Sequence, residues 1–263
     1  MLSQFIHDPI YLAAAQALVA GGLALVMMVI AAWQGIRLEK EIVIALLRGL
    51  VQVVAVGSVL LLIFDGPTAL GFLILAGMML LAAKTAEKRA GDLPGAFRVS
   101  FWGILIGAGS VIILMTLAGV IDTKLTALIP IGSMIVANSM NSVGLALDRF
   151  EGEIKAHIGH IETALALGAD PKTSVRPYTQ AAIKASLIPR IDSLRSLGIV
   201  WIPGVMTGML LGGSQPVEAA LYQFVIMAMI LTISGLASLV SALLMVGQIF
   251  TPADQLALGR REE

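Results

Sequence analysis

Long apolar runs dominate this chain, and they restrict what it can fold into more than any other feature. They cover residues 9–33, 42–64, 69–83, 99–120, 128–147, 197–211 and 219–246. A helix needs about 20 mostly apolar residues to cross a bilayer, because each residue advances only about 1.5 Å along the axis. Backbone N–H and C=O groups find no water there, so a helix, which pairs them internally, is the stable solution. Seven such runs in 263 residues predict an all-α integral membrane protein with about seven transmembrane helices. The chain reads as a single transmembrane domain over 1–263, with no length left for a further large soluble domain. Composition agrees, since 13% of residues are charged against about 25% in an average soluble domain. The first run is too long for the apolar part of a signal peptide and has no basic residue ahead of it, which predicts a retained helix. The run at 197–211 is interrupted by Pro203, Gly198, Gly204 and Gly208. Such residues are tolerated at membrane depth where neighbouring protein or a cavity satisfies the backbone.

Lys and Arg set the expected orientation, because short basic loops stay cytoplasmic. Arg37 and Lys40 follow the first run; Lys84, Lys88, Arg89 and Arg98 follow the third. Arg149, Lys155, Lys172, Arg176, Lys184, Arg190 and Arg195 follow the fifth, and Arg260 and Arg261 end the chain. The other connections contain only Lys124. With seven spans, every basic connection falls on one side, which predicts an outside N-terminus and a cytoplasmic C-terminus in a multi-pass protein of the cell inner (plasma) membrane. Four acids, Asp8, Asp65, Asp122 and Glu218, then fall on the outer side, where they either cap helix ends or draw cations. Seventeen basic and seventeen acidic residues leave no net charge, so nothing points to nucleic acid as a partner.

The one extended polar segment is about 148–196, longer than a helix connection requires. Ile154, Ile158, Ile161 and Leu165 share one helical face, while Pro171, Pro177 and Pro189 predict a break into short helices. A broken amphipathic segment on the cytoplasmic side is what a membrane protein offers to a soluble partner.

No G-x-x-x-x-G-K-[ST] phosphate loop occurs. The chain is therefore not expected to be an enzyme or to bind a cofactor, and any ATP is handled by a separate subunit. The absence of cysteine excludes thiolate nucleophiles and thiolate metal sites. Within the spans, Glu41, Arg48 and Gln52 share a face, and Arg48 either snorkels to the nearby interface or lines a pathway. Met134, Asn138, Asn141 and Ser142 form a second polar face opposite the apolar Val136 and Val143. Two readings stand for it: a substrate pathway, together with Arg48 and Gln52, or hydrogen bonding between helices. A pathway of neutral amides beside Arg48 suits an anion or a chelated metal better than a bare divalent ion. His157 and His160, three apart, and the thirteen methionines are either metal contacts or ordinary helix positions.

Residues 162–168 read E-T-A-L-A-L-G, similar to the E-A-A-x-x-x-G coupling motif of ABC transporter permeases. The Leu187-Ile188-Pro189 element lies farther downstream than in importers of that kind. Together with the runs N-S-M-N-S-V-G-L-A-L-D-R from Asn138 and P-G-V-M-T-G-M-L-L-G-G from Pro203, Tyr222-Gln223, and Arg48 and Gln52, the whole chain resembles the FetB/YbbM permease family. The resemblance implies a homodimeric permease worked by a separate FetA-like ABC ATPase, with iron export as the bacterial role. It implies coupling through Ile158, Ile161, Glu162, Ala164, Leu165 and Gly168. Plant relatives are associated with aluminium tolerance and, by one proposal, with nucleotide-sugar transport. The competing expectation is a non-transporting membrane sensor or assembly component that docks a cytoplasmic partner; an ABC permease for an anionic or nucleotide-sugar substrate is a third.

Overall fold

Apolar runs of this length pair their own backbone as helices, and the computed structural model, which describes residues 9–36, 39–63 and 66–258, is built from them. Asp8, Arg37, Asp65, Arg260 and Arg261 of the expected charge pattern lie outside the described residues. The helices, in chain order, are α1 (Pro9–Trp33), α2 (Glu39–Ile63), α3 (Thr68–Glu87), α4 (Ala96–Ile104), α5 (Ser110–Leu117), α6 (Leu125–Ala156), α7 (Ile158–Ala166), α8 (Pro171–Arg195), α9 (Gly204–Leu211) and α10 (Pro216–Val246). A π-helical turn, Leu105–Gly109, joins α4 to α5. Among the described residues the only β pairings are two isolated bridges, Leu197 with Trp201 and Phe250 with Leu256.

The chain divides into two compact units, residues 1–65 and 66–263. In the first, α1 and α2 form an apolar helix pair whose side chains are largely exposed, as at Leu18, Leu23, Val53 and Val54. In the second, α6 and α10 are the central helices, and α3, α4 and α8 pack on them. The core runs from Leu75 of α3 through Ile104, Ile135 and Val143 to Ile233 and Met245 of α10. Close approach is set by small residues: a Cβ at Gly132 of α6 would lie 2.6 Å from Leu75 Cδ1, and one at Gly107 of the π turn 2.7 Å from the Ala237 Cβ of α10. In a bilayer, van der Waals contact of this kind replaces the hydrophobic drive between helices.

Among the described residues, six helical stretches are long and apolar enough to cross a membrane. They coincide with six of the seven expected runs, and the protein is a multi-pass membrane protein. The remaining run, 197–211, differs. Its first part forms turns around the Leu197–Trp201 bridge, and only Gly204–Leu211, eight residues, is helical. Gly198 explains the break: its φ is +76°, a left-handed conformation that ends a helix.

The polar segment also differs in detail from expectation. Its breaks fall at His157, between α6 and α7, and around Gly168, between α7 and α8. The prolines do not divide it. Pro171 occupies the first turn of α8, where a missing N–H costs nothing, and the Asp170 carboxylate caps the helix by accepting from Thr173 N at 3.1 Å. Pro177 and Pro189 sit inside one 25-residue helix. An interior proline costs about 3 kcal/mol, and the burial of Val175, Thr179, Ala182 and Ser186 where α8 packs on α6 and α10 offsets it.

Candidate functional sites: a polar helix face and a coupling turn

The polar face of α6 lies near the end of the bundle where the charged residues gather. Met134, Asn138 and Asn141 are half-buried there. The Asn138 Nδ2 amide donates to the Met134 carbonyl of its own helix at 2.8 Å, which turns its oxygen away from the backbone. The Asn141 Oδ1 accepts from the Arg89 guanidinium at 3.4 Å. Sequence reasoning counted Arg89 only as loop charge. The available signal was its place two residues beyond an apolar helix, where a long side chain returns to the polar end. Ser142 is turned from this face and is 2% exposed. Its carbonyl accepts from Ser238 Oγ of α10 at 3.3 Å, and that hydroxyl is 3.0 Å from Ser186 Oγ of α8. Val136 and Val143 are buried against neighbouring helices.

The Ser142 hydroxyl is buried without a hydrogen-bond partner among the described residues. Leaving such a group unpaired costs about 1–3 kcal/mol. Ser142→Ala is therefore expected to keep or raise the thermal midpoint of the purified protein in detergent; a clear fall would show that the hydroxyl bonds to something.

Arg48 and Gln52 are exposed on α2 of the first unit and, four residues apart, share a face. Among the described residues no ion pair joins Glu41 to Arg48, so the guanidinium is not neutralised by that acid. Two of the four acids expected on the outer side are held locally. Asp122 Oδ1 accepts from Lys124 N at 3.0 Å just before α6, and Glu218 lies in the first turn of α10, where the helix dipole favours a carboxylate.

His157 stacks on Tyr178 with ring centroids 4.4 Å apart, and its Nδ1 lies 2.9 Å from the Glu153 carbonyl. His160 is 5.9 Å from His157, ring to ring. Among the described residues no three His, Asp or Glu side chains come together to hold a metal ion.

The residues expected to couple form α7 and the turn after it. Ile161 is fully buried in the chain's own core and Leu165 packs against that core. Ile158, Glu162 and Leu165 face Asp254, Gln255, Leu256 and Leu258 across a cleft of about 350 Å³. The apolar stripe expected to enter a partner's groove is thus largely used within the chain. Ala164 is half-buried, and its carbonyl accepts from Ala169 N at 3.0 Å while Gly168 N donates to the Leu165 carbonyl at 2.9 Å. That pair of bonds is a Schellman turn, which needs a left-handed residue after the last helical one. Gly168 supplies it, with φ +86°. The turn leaves Leu167 84% exposed and the space around Gly168 open.

The profile of a family described as Uncharacterised protein family (UPF0014) matches residues 14–250. The chain belongs to this family. It is 34% identical over 225 residues to Protein ALUMINUM SENSITIVE 3 of Arabidopsis thaliana, covering 85% of this chain and 82% of that protein. It is 32% identical over 237 residues to the Probable iron export permease protein FetB of Escherichia coli (strain K12), covering 90% and 92%. UPF0014 membrane protein YjkA of Bacillus subtilis (strain 168) is 33% identical over 225 residues, covering 83% and 88%. No solved structure matches the chain significantly. For a UPF0014 protein the matched stretch includes both the polar face of α6 and the turn at Leu167 and Gly168. The resemblance to FetB-type permeases expected from the sequence is thereby established for the chain as a whole.

Proposed function

We propose that the chain is the permease subunit of an ABC exporter, working as two copies with a separate, FetA-like ATPase, its N-terminus outside and its polar segment in the cytoplasm. The observation that supports this most is the turn at Leu167 and Gly168, a rigid, exposed apolar projection at the end of the E-T-A-x-x-x-G sequence. A projection of this kind suits a groove on a soluble partner, because its backbone is already ordered and little entropy is lost on docking. The bacterial relative named as a probable iron export permease brings iron, or a metal-related solute, as cargo. Met134, Asn138 and Asn141 provide weak oxygen and thioether contacts that release what they hold, and Arg48 and Gln52 supply a polar face on α2.

The test is ATP-dependent accumulation of radioactive iron by inverted vesicles that contain the chain and its ATPase. Accumulation above that of vesicles carrying the ATPase alone is the expected result. The absence of both accumulation and stimulated ATP hydrolysis would overturn the reading in favour of a non-transporting sensor or assembly component.

A further inference from the structure

Arg89 lies just past the end of α3, yet its side chain points away from the nearest polar layer. Along α6 the first charged residues are Asp148 and Arg149, and none occurs from Leu125 to Leu147. They mark where the apolar length of this membrane-crossing helix ends. A long basic side chain near such a boundary ordinarily snorkels, laying its stem on apolar surface and turning its charge toward water. Arg89 does the reverse. Its stem lies on Gly144, where an added Cβ would meet Arg89 Cδ at 2.9 Å, and its Nη1 donates to Asn141 Oδ1 at 3.4 Å. Gly144 is four residues and Asn141 seven residues before Asp148, so the guanidinium heads inward and stands about 10 Å into the apolar length of the helix.

No carboxylate of the chain balances this charge. Among the described residues Arg89 makes no ion pair, and its one side-chain hydrogen bond goes to a neutral amide. The acids that hold the adjoining loop, Glu151 and Asp92, are both engaged by Lys155, at 2.7 and 3.6 Å. Arg89 is also exposed rather than covered by the bundle. Lipid does not solvate a charge in that setting, and ionisable groups at membrane depth face a polar cavity or a group of opposite charge. The donors here converge. A guanidinium carries five N–H groups in a planar fork, and only one nitrogen is occupied. Because the Asn141 oxygen takes that bond, its Nδ2 amide is a second donor beside the first, with no partner among the described residues.

We propose that Arg89, with the Asn141 amide beside it, is the residue that selects the cargo at the inner end of the α6 polar face, and that it receives a carboxylate or phosphate group. The cargo is then a free anionic solute or a metal carried as an anionic chelate. This rests on the permease reading above and names its substrate class. A fork of N–H donors matches the paired oxygens of such a group. A bare divalent cation would meet a guanidinium with no carboxylate to offset it, and could not recover its hydration energy.

The chain has no cysteine of its own, so a single introduced thiol is the only one that reacts. Ala137→Cys places it one turn farther in than Asn141, with Ile113→Cys on the apolar α5 as the lipid-facing comparison; both positions are exposed. The full-length variants, in nanodiscs of neutral phosphatidylcholine, are treated with a sulfonate-bearing or a quaternary-ammonium-bearing methanethiosulfonate. Ala137→Cys should react at least about tenfold faster than Ile113→Cys and favour the anionic reagent, and citrate or ferric citrate should slow it. Adding Arg89→Gln should abolish that preference. So should Asn141→Asp, which sets a carboxylate against the guanidinium without removing it, whereas Arg89→Lys should retain most of it. Reaction no faster than at Ile113→Cys, a preference that survives both Arg89→Gln and Asn141→Asp, preference for the cationic reagent, or protection by ferrous ion alone would each overturn the proposal. Slowing by phosphatidylglycerol in the disc with none by citrate would overturn it too, since the group received would be a lipid headgroup. Labelling needs neither the ATPase nor transport, so its failure is separate from failure of the export reading.

Discussion

On the proposed export function, replacing Leu167 by aspartate should uncouple the chain from the proposed ATPase while leaving it folded and inserted. Leu167 is 84% exposed, so its loss costs the isolated chain little. In a complex it is the apolar tip of the projection, and an apolar anchor seated in a partner's pocket is commonly worth about 2 kcal/mol or more, roughly 30-fold in occupancy. A carboxylate adds a desolvation cost on top. Stimulated ATP hydrolysis and co-purification with the ATPase should therefore both fall by about tenfold or more. Gly168→Val should act in the same direction through the backbone, because its φ of +86° disfavours a β-branched side chain. Undiminished hydrolysis in Leu167→Asp would remove the turn from the coupling contact.

The second large effect is on folding. At Gly107 a Cβ would stand 2.7 Å from Ala237 Cβ and 3.0 Å from the Ala237 backbone nitrogen and Cα. Backbone atoms cannot rotate aside as a side-chain tip can, so Gly107→Val has to push the π turn and α10 apart. Overpacking of this kind costs about 1–3 kcal/mol where side chains yield, and the backbone contact places this variant at or above the upper end. The expected outcome is a marked fall in the thermal midpoint and in the yield of protein extracted in folded form. Gly109→Val is the comparison, since a Cβ there meets only Leu105 Cδ1, at 3.7 Å; equal stability of the two variants would show that the close approach is not maintained.

What could be read from the sequence followed physical scale. Apolar length is a long-range signal, and six of the expected runs became helical, with ends within about four residues of expectation except in α6, which continues nine residues past 147 to Ala156. The seventh differed because the same apolarity suits a turn when Gly198 adopts a positive φ. The prolines misled for the opposite reason, since a local propensity was overridden by packing along α8. At the polar face, periodicity grouped Met134, Asn138 and Asn141 but included Ser142, which lies at the edge of the arc and turns toward α10. Periodicity alone does not tell which edge a neighbour will cover. Arg89 joined Asn141 from a different element, a tertiary contact invisible to any single-helix pattern. In the motif 162–168 the glycine was legible as a feature, and its cause, a left-handed residue closing a Schellman turn, became plain only from the hydrogen bonds.

The π turn at Leu105–Gly109 bears on how this span changes over evolutionary time. A π turn holds one more residue than the α turn it replaces, so the helical halves before and after it are phased independently, offset by roughly one residue's rotation of 100°. Selection can therefore tune the surface of α4, which begins among the charged loops, without rephasing the face that α5 turns toward its neighbours. Gain or loss of one residue at 105–109 would be absorbed in the width of the turn, whereas the same change in α6 would rotate every side chain beyond it. The span behaves as two separately adjustable surfaces threaded on one axis, a latitude that the uninterrupted central helices lack.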